Sequence, residues 1–240
     1  VNYGKILTLG KATNRMDASN MEVIVQEINQ SKVLILCGQM TQDLKVQQEL
    51  IKFASFPNVV VLVENTSNLQ HERFIHCIDR TLNGFDQKNE VYQPDILITI
   101  GGAVVSKRIK AYLRNAGVKK HYKIGAEFPE MDTYRCLTQA IPLEPSDFFE
   151  QINEYELTAN THNFNGKWKA VDIVAKDRSL DFVSEFSNLT DMQVFQNIQD
   201  YLPEDHILHL ANSSVVRYAQ LFDPLPGVRY ESNRGTSGID

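Results

Sequence analysis

Val33-Leu34-Ile35-Leu36-Cys37, Val59-Val60-Val61-Leu62-Val63 and Ile96-Leu97-Ile98-Thr99-Ile100 decide the fold. Each run is rich in β-branched residues and lacks polar alternation, the pattern of strands covered on both faces and therefore of a parallel sheet. The segments between them have the spacing of crossover helices. Thr41 to Ser55 places Leu44, Val46, Leu50 and Phe53 near helical spacing, and Leu69 to Leu82 repeats the pattern with Phe74, Ile75, Ile78 and Leu82. A third helix is predicted over Ser106 to Asn115, with Ile109 and Leu113 inward and Gly117 ending it. His121 to Gly125 and Cys136 to Ile141 read as two further strands, and Met21 to Asn29 as an entry helix. The sum is an α/β chain with a Rossmann-like, doubly wound parallel sheet.

Beyond Pro145 the pattern changes. Phe148 to Asn165 reads as a polar-aromatic connection and Gly166 to Phe186 as a helix. Asp191 to Tyr201 is a second helix, with Val194, Ile198 and Leu202 on one side, and Ile207 to Ala211 is a strand that starts another βα series. A new domain is therefore expected from about Leu189.

Composition narrows the function. The 240 residues are 42% hydrophobic, enough for a substantial core, and carry a net charge of −6 with a pI near 5.6. That balance argues against a nucleic-acid binder or a polybasic membrane protein, and no apolar run reaches the roughly 18 residues of a membrane span. Cys37, Cys77 and Cys136 are odd in number and far apart, so neither a disulfide framework nor a zinc site follows, and a reducing cytoplasm fits. The chain opens Val1-Asn2-Tyr3 with nothing resembling a signal peptide.

Three segments could carry chemistry. After the strand ending at Ala211 comes Asn212-Ser213-Ser214-Val215-Val216-Arg217. Strand ends of an open parallel sheet collect ligands, and on a helix Ser213 and Arg217, four apart, would share a face where a carboxylate could be gripped. The other reading is a capped helix with a solvated arginine. Gly101-Gly102-Ala103-Val104-Val105-Ser106-Lys107-Arg108 also follows a strand. It matches neither a dinucleotide fingerprint nor a P-loop, and reads as a tight strand-to-helix turn with a basic face. Ser232 to Asp240, holding Asn233-Arg234-Gly235, has the small residues of a ligand-approaching loop with no element after it, as in an excised fragment; a frayed tail is the alternative. If Arg108, Arg217 and Arg234 converge, the site suits a substrate with more than one carboxylate.

Lesser candidates have plainer explanations. His71 and His76 read as surface residues of a helix, and Glu127, Glu130 and Asp132 as a solvated loop. Asn65-Thr66-Ser67, Asn188-Leu189-Thr190 and Asn212-Ser213-Ser214 match the glycosylation sequon, which means little without secretion. No catalytic triad, cysteine–histidine pair or metal motif has usable context, so no catalytic or metal-ligating residue is assigned.

The pair Asn212-Ser213-Ser214-Val215-Val216-Arg217 and Ser232-Asn233-Arg234-Gly235-Thr236-Ser237-Gly238-Ile239-Asp240 resembles two motifs of the MenD family, thiamine-diphosphate synthases of menaquinone biosynthesis. Ser106-Lys107-Arg108 after Gly101-Gly102 is similar to the central domain of that family. The resemblance implies that residues 1–17 form an interdomain linker, 18–188 a central domain with its connecting helix, and 189–240 the truncated start of a pyrophosphate-binding domain. It implies decarboxylation of 2-oxoglutarate and addition of the resulting carbanion to isochorismate, with thiamine diphosphate and Mg2+ as cofactors and a homo-oligomer as the full-length state. Arg217 and Arg234 would bind the 2-oxoglutarate carboxylates, Ser213 would donate a hydrogen bond, and Arg108 would match the central-domain arginine after Ser-Lys. The family's catalytic glutamate and its magnesium and diphosphate ligands fall outside this chain, so the chain alone is expected to be inactive. The rival is a free-standing Rossmann-like domain that senses a small acidic metabolite or nucleotide.

Overall fold

The computed structural model describes residues 15–158 and 162–233. Five strands, β1 (Val33–Cys37), β2 (Val59–Val63), β3 (Ile96–Ile100), β4 (Lys120–Ile124) and β5 (Gln139–Ile141), form one parallel sheet in the order β2-β1-β3-β4-β5. This is a doubly wound order with its switch point between β1 and β3. The first three strands pair in register, Ile35 standing between Val61 and Ile98.

The unbroken apolar runs are explained by what covers each face. Val33, Ile35, Cys37, Val61 and Ile98 pack with α1 (Ala18–Gln30), α2 (Leu44–Phe53) and α5 (Pro145–Asn153), through Ile24, Leu50, Phe53, Phe148 and Phe149. Leu34, Leu36, Val60, Leu62 and Leu97 pack on the other face with α3 (Ile78–Leu82), α4 (Lys107–Asn115) and the start of α6 (Phe164–Ser184), through Ile109, Tyr112, Phe164 and Trp168. With both faces buried, alternation has no function. Trp168, fully buried, is ringed by Phe85, Tyr112 and Phe164 at centroid distances of 5.0 to 6.1 Å.

Three expectations are corrected. The helix expected over Leu69 to Leu82 is confined to α3, because Ile75 pairs with β2 instead, its N–H donating to Val61 and its carbonyl accepting from Val63. His71 and His76 therefore lie ahead of that helix and are half-buried, with the His76 ring bonded to the His71 carbonyl at 3.2 Å. The supposed connection beginning at Phe148 contains α5, whose Pro145 occupies the first turn and whose Phe148, Phe149 and Ile152 are buried.

Beyond α6 lie α7 (Asp191–Tyr201), β6 (Ile207–Leu210), α8 (Ser214–Ala219) and β7 (Arg229–Ser232), with β6 and β7 parallel. A small core of Leu210, Val216, Ala219, Val228 and Tyr230 includes Val105 from the central unit. Arg80 of α3, nearly buried, meets Asp172 of α6 at 3.6 Å and Asp223 at 3.1 Å, pinning the segment after α8 to the central unit. Among the described residues no helix is long and apolar enough to cross a membrane.

Candidate functional site

The site is built around the turn that follows β2. Glu64 is buried, Asn65–Ser67 form one 3-10 turn, and Asn68 takes a left-handed φ of 55°. The Glu64 carboxylate accepts the N–H of Val105 at 2.6 Å and of Ser106 at 2.7 Å, donors just ahead of α4. Ser106 caps α4 by accepting the Ile109 N–H at 3.0 Å and gives its own hydroxyl proton to Asp79. An N-terminal helix turn is a ready anion site, and here the protein's own carboxylate fills it. Burial pushes the Glu64 carboxyl up to about 7, against the pull of its two N–H bonds, and nearby Asp79 adds to the rise.

Above this turn is a cavity of about 190 Å³ walled by Glu64, Asp79, Lys107, Arg108, Arg217 and Gln220, with Ile78, Val105 and Ser106. Two of the arginines singled out in the sequence thus converge, although they are 109 residues apart in the chain. Arg108 comes from the first turn of α4 and also donates to the Asn83 side chain; Arg217 comes from α8 and is exposed. Three cations against two carboxylates leave +1 with both acids ionised, and +2 with Glu64 protonated. Such a pocket suits an anion that two guanidinium forks can share.

Ser213 is placed otherwise than expected. It precedes α8 with φ 66° and ψ −120°, outside helical geometry, so the argument that it shares a helix face with Arg217 does not hold. Its side chain makes no cap bond either, and it is exposed and not a wall of the cavity. A non-glycine residue in that conformation costs on the order of 1–3 kcal/mol and concentrates at functional sites. Arg234 lies outside the described residues. Asn212 is buried, donating to the Asn233 carbonyl at 2.7 Å, and Asn65 is buried as well, so neither is open to glycosylation.

The glycine turn is tight for a visible reason. Gly101 has φ 72°, the Gly102 N–H donates to the Gln39 carbonyl at 2.7 Å, and a Cβ on Gly38 would stand 2.2 Å from the Gly102 oxygen. The loops after β1 and β3 thus close on each other at the switch point, and the loop after β3 reaches the basic pocket further on, at Val105 and Ser106.

Sequence reasoning missed Glu64, Asp79, Asn68 and Gln220, and saw Asn65 only as a sequon. The available signal was an acid directly following an apolar parallel strand, where ligands and helix ends gather. Glu127, Glu130 and Asp132 are exposed, as a solvated loop requires, and among the described residues no group of three or more His, Cys, Asp or Glu could hold a metal ion.

The family model described as the middle domain of thiamine pyrophosphate enzymes matches residues 9–210. The 2-succinyl-5-enolpyruvyl-6-hydroxy-3-cyclohexene-1-carboxylate synthase of Flavobacterium johnsoniae is 35% identical over 239 residues, covering 98% of this chain and 43% of the relative. The synthase of the same name from Flavobacterium psychrophilum is 36% identical, covering 95% and 41%, and that from Porphyromonas gingivalis 31%, covering 87% and 37%. The chain spans about two fifths of the length of these relatives. With a doubly wound parallel sheet and a match over residues 9–210, the chain belongs to the family of thiamine pyrophosphate enzyme middle domains.

Proposed function

We propose that this chain is the middle part of a synthase that joins 2-oxoglutarate, with loss of carbon dioxide, to isochorismate in menaquinone biosynthesis. The convergence of Arg108 and Arg217 on one cavity carries the reading, and the names of the relatives support it. Both substrates carry carboxylates, and a shared bidentate grip orients a dicarboxylic acid better than a single cation does. In this reading Arg217 and Arg108, which wall the cavity, hold the 2-oxoglutarate carboxylates; Arg234, which the family resemblance pairs with Arg217, lies outside the described residues, and Ser213 stands off the cavity wall. Glu64, by filling the start of α4, leaves Lys107, Arg108 and Arg217 as the pocket's anion-binding groups.

Thiamine diphosphate supplies the electron sink in such a reaction. Mg2+ with a diphosphate is held by one or two carboxylates together with phosphate oxygens, and no residue of this chain is assigned to it. The chain's own contribution is binding and orientation. Residues 18–188 are the central domain, and the small core around Tyr230, built of residues beyond 189 apart from Val105, supports reading residues from 189 onward as the start of the pyrophosphate-binding domain. Three free cysteines, two of them buried, accord with a reducing cytoplasm, and a homo-oligomer is the expected assembly.

The test is an assay of the full-length protein carrying this chain, with thiamine diphosphate, Mg2+, 2-oxoglutarate and isochorismate. Arg217→Ala should lower kcat/KM for 2-oxoglutarate by more than tenfold, since a hydrogen bond to a charged group contributes about 1.5–3 kcal/mol. Unchanged kinetics reject the assignment. A protein that binds acids and forms no product is the sensor of the rival reading.

A further inference from the structure

The turn that carries Glu64 touches both arginine-bearing helices. Glu64 takes the N–H groups of Val105 and Ser106 at the head of α4, three and two residues before Arg108. The next residue, Asn65, reaches the opposite way: its backbone N–H donates to Gln220 Oε1 at 3.0 Å and its side-chain amide to the Ala219 carbonyl at 2.8 Å, at the end of α8. Asn68 closes the turn by pairing with Tyr230 of β7 in both directions, donating to its carbonyl at 3.0 Å and accepting its N–H at 2.7 Å. All three side chains are buried. Among the described residues the head of α4 is tied to α8 by this turn and by the packing of Val105 with Val216 and Ala219, so the separation of Arg108 and Arg217 follows from these contacts.

We propose that Glu64 is a positioning residue for the basic pocket: through the Glu64–Asn68 turn it fixes α4 against α8 and so sets the spacing at which Arg108 and Arg217 meet a dicarboxylate. This rests on the reading that the two arginines bind 2-oxoglutarate. A carboxylate of glutamate length is needed because both oxygens are used at 2.6 and 2.7 Å. Aspartate keeps the charge and falls short of one N–H. Glutamine keeps the length but turns an amide donor toward one of them.

These two substitutions separate positioning from simple charge balance. In the full-length protein, Glu64→Asp and Glu64→Gln should each raise the KM for 2-oxoglutarate by about tenfold with kcat changed less than threefold. In an Arg217→Ala background the same substitutions should cost less than threefold more, because the grip they position is already gone; a merely structural role would add in full. If Glu64→Asp behaves as the parent and Glu64→Gln lowers KM, Glu64 is only a counter-charge and the proposal is overturned. If Arg217→Ala raises KM and neither Glu64 variant does, the proposal falls while the 2-oxoglutarate reading stands. If Arg217→Ala leaves KM unchanged, that reading falls, and the spacing is judged alone: a crystal structure of the Glu64→Asp protein should show the first turn of α4 displaced from α8 by about 1 Å or more, and superimposable helices overturn the proposal.

Discussion

The sheet of residues 33–141 and the segment after α6 solve the problem of burial differently. The sheet closes its own core: every residue of β1 and β2 is buried, and helices cover both faces. The later segment has a core of a few side chains, one borrowed from the central unit, and leaves Leu189, Val194, Ile198, Tyr201 and Ile207 exposed. One region is held by apolar packing and the other by specific polar bonds to its neighbour, through Asn65, Asn68, Gln39, Gln70 and Arg80. The candidate pocket lies where the two meet, so the geometry of its arginines depends on the polar kind of adhesion.

That contrast can be broken most forcefully in the sheet. Trp168→Ala empties a fully buried site ringed by aromatic side chains and should cost about 3–5 kcal/mol in denaturant unfolding. A loss below 1 kcal/mol would mean that the core is not the closed unit described. The buried His121 on β4 gives the next largest effect. Burial pushes its imidazole down to about 4, so the folded state holds it neutral while the unfolded chain takes up a proton below about 6.5. Stability from this group should be intact above pH 6.5 and fall by about 3 kcal/mol at most as pH drops towards 4. His121→Gln should flatten that part of the stability profile.

At the junction the expected effect is smaller. Asp223→Asn weakens the pairing of a nearly buried arginine and should cost about 2 kcal/mol. Its signature is early release of the region after α6, seen as faster hydrogen exchange there than in the sheet. Tyr201→Ser, at an exposed position of α7, should change stability by less than about 0.5 kcal/mol; a large loss would show that this face is covered within the chain.

The sheet was legible because burial on both faces leaves a direct mark, the unalternating runs at 33–37, 59–63 and 96–100. The helix α5 was not, because its polar residues Ser146, Asp147, Glu150 and Gln151 masked the Phe148-Phe149-Ile152 stripe, although Pro145 marked its start. Ile75 had the spacing of a helix and became part of a strand-like bridge, because β2 offered unpaired backbone groups that local periodicity cannot show. Arg108 and Arg217 were legible as basic residues after strands. Glu64 and Asn65 were not, since what they do is join two helices from distant parts of the chain, and single-sequence patterns report only neighbours.

The central claim is that Arg108 and Arg217 act on one dicarboxylate in one pocket, and a double-mutant cycle on kcat/KM for 2-oxoglutarate tests it most directly. With Arg108→Ala, Arg217→Ala and the double variant, the account predicts a coupling of at least about 1 kcal/mol between the two positions. Effects that add to within about 0.3 kcal/mol would place the two guanidinium groups on separate ligands and contradict it.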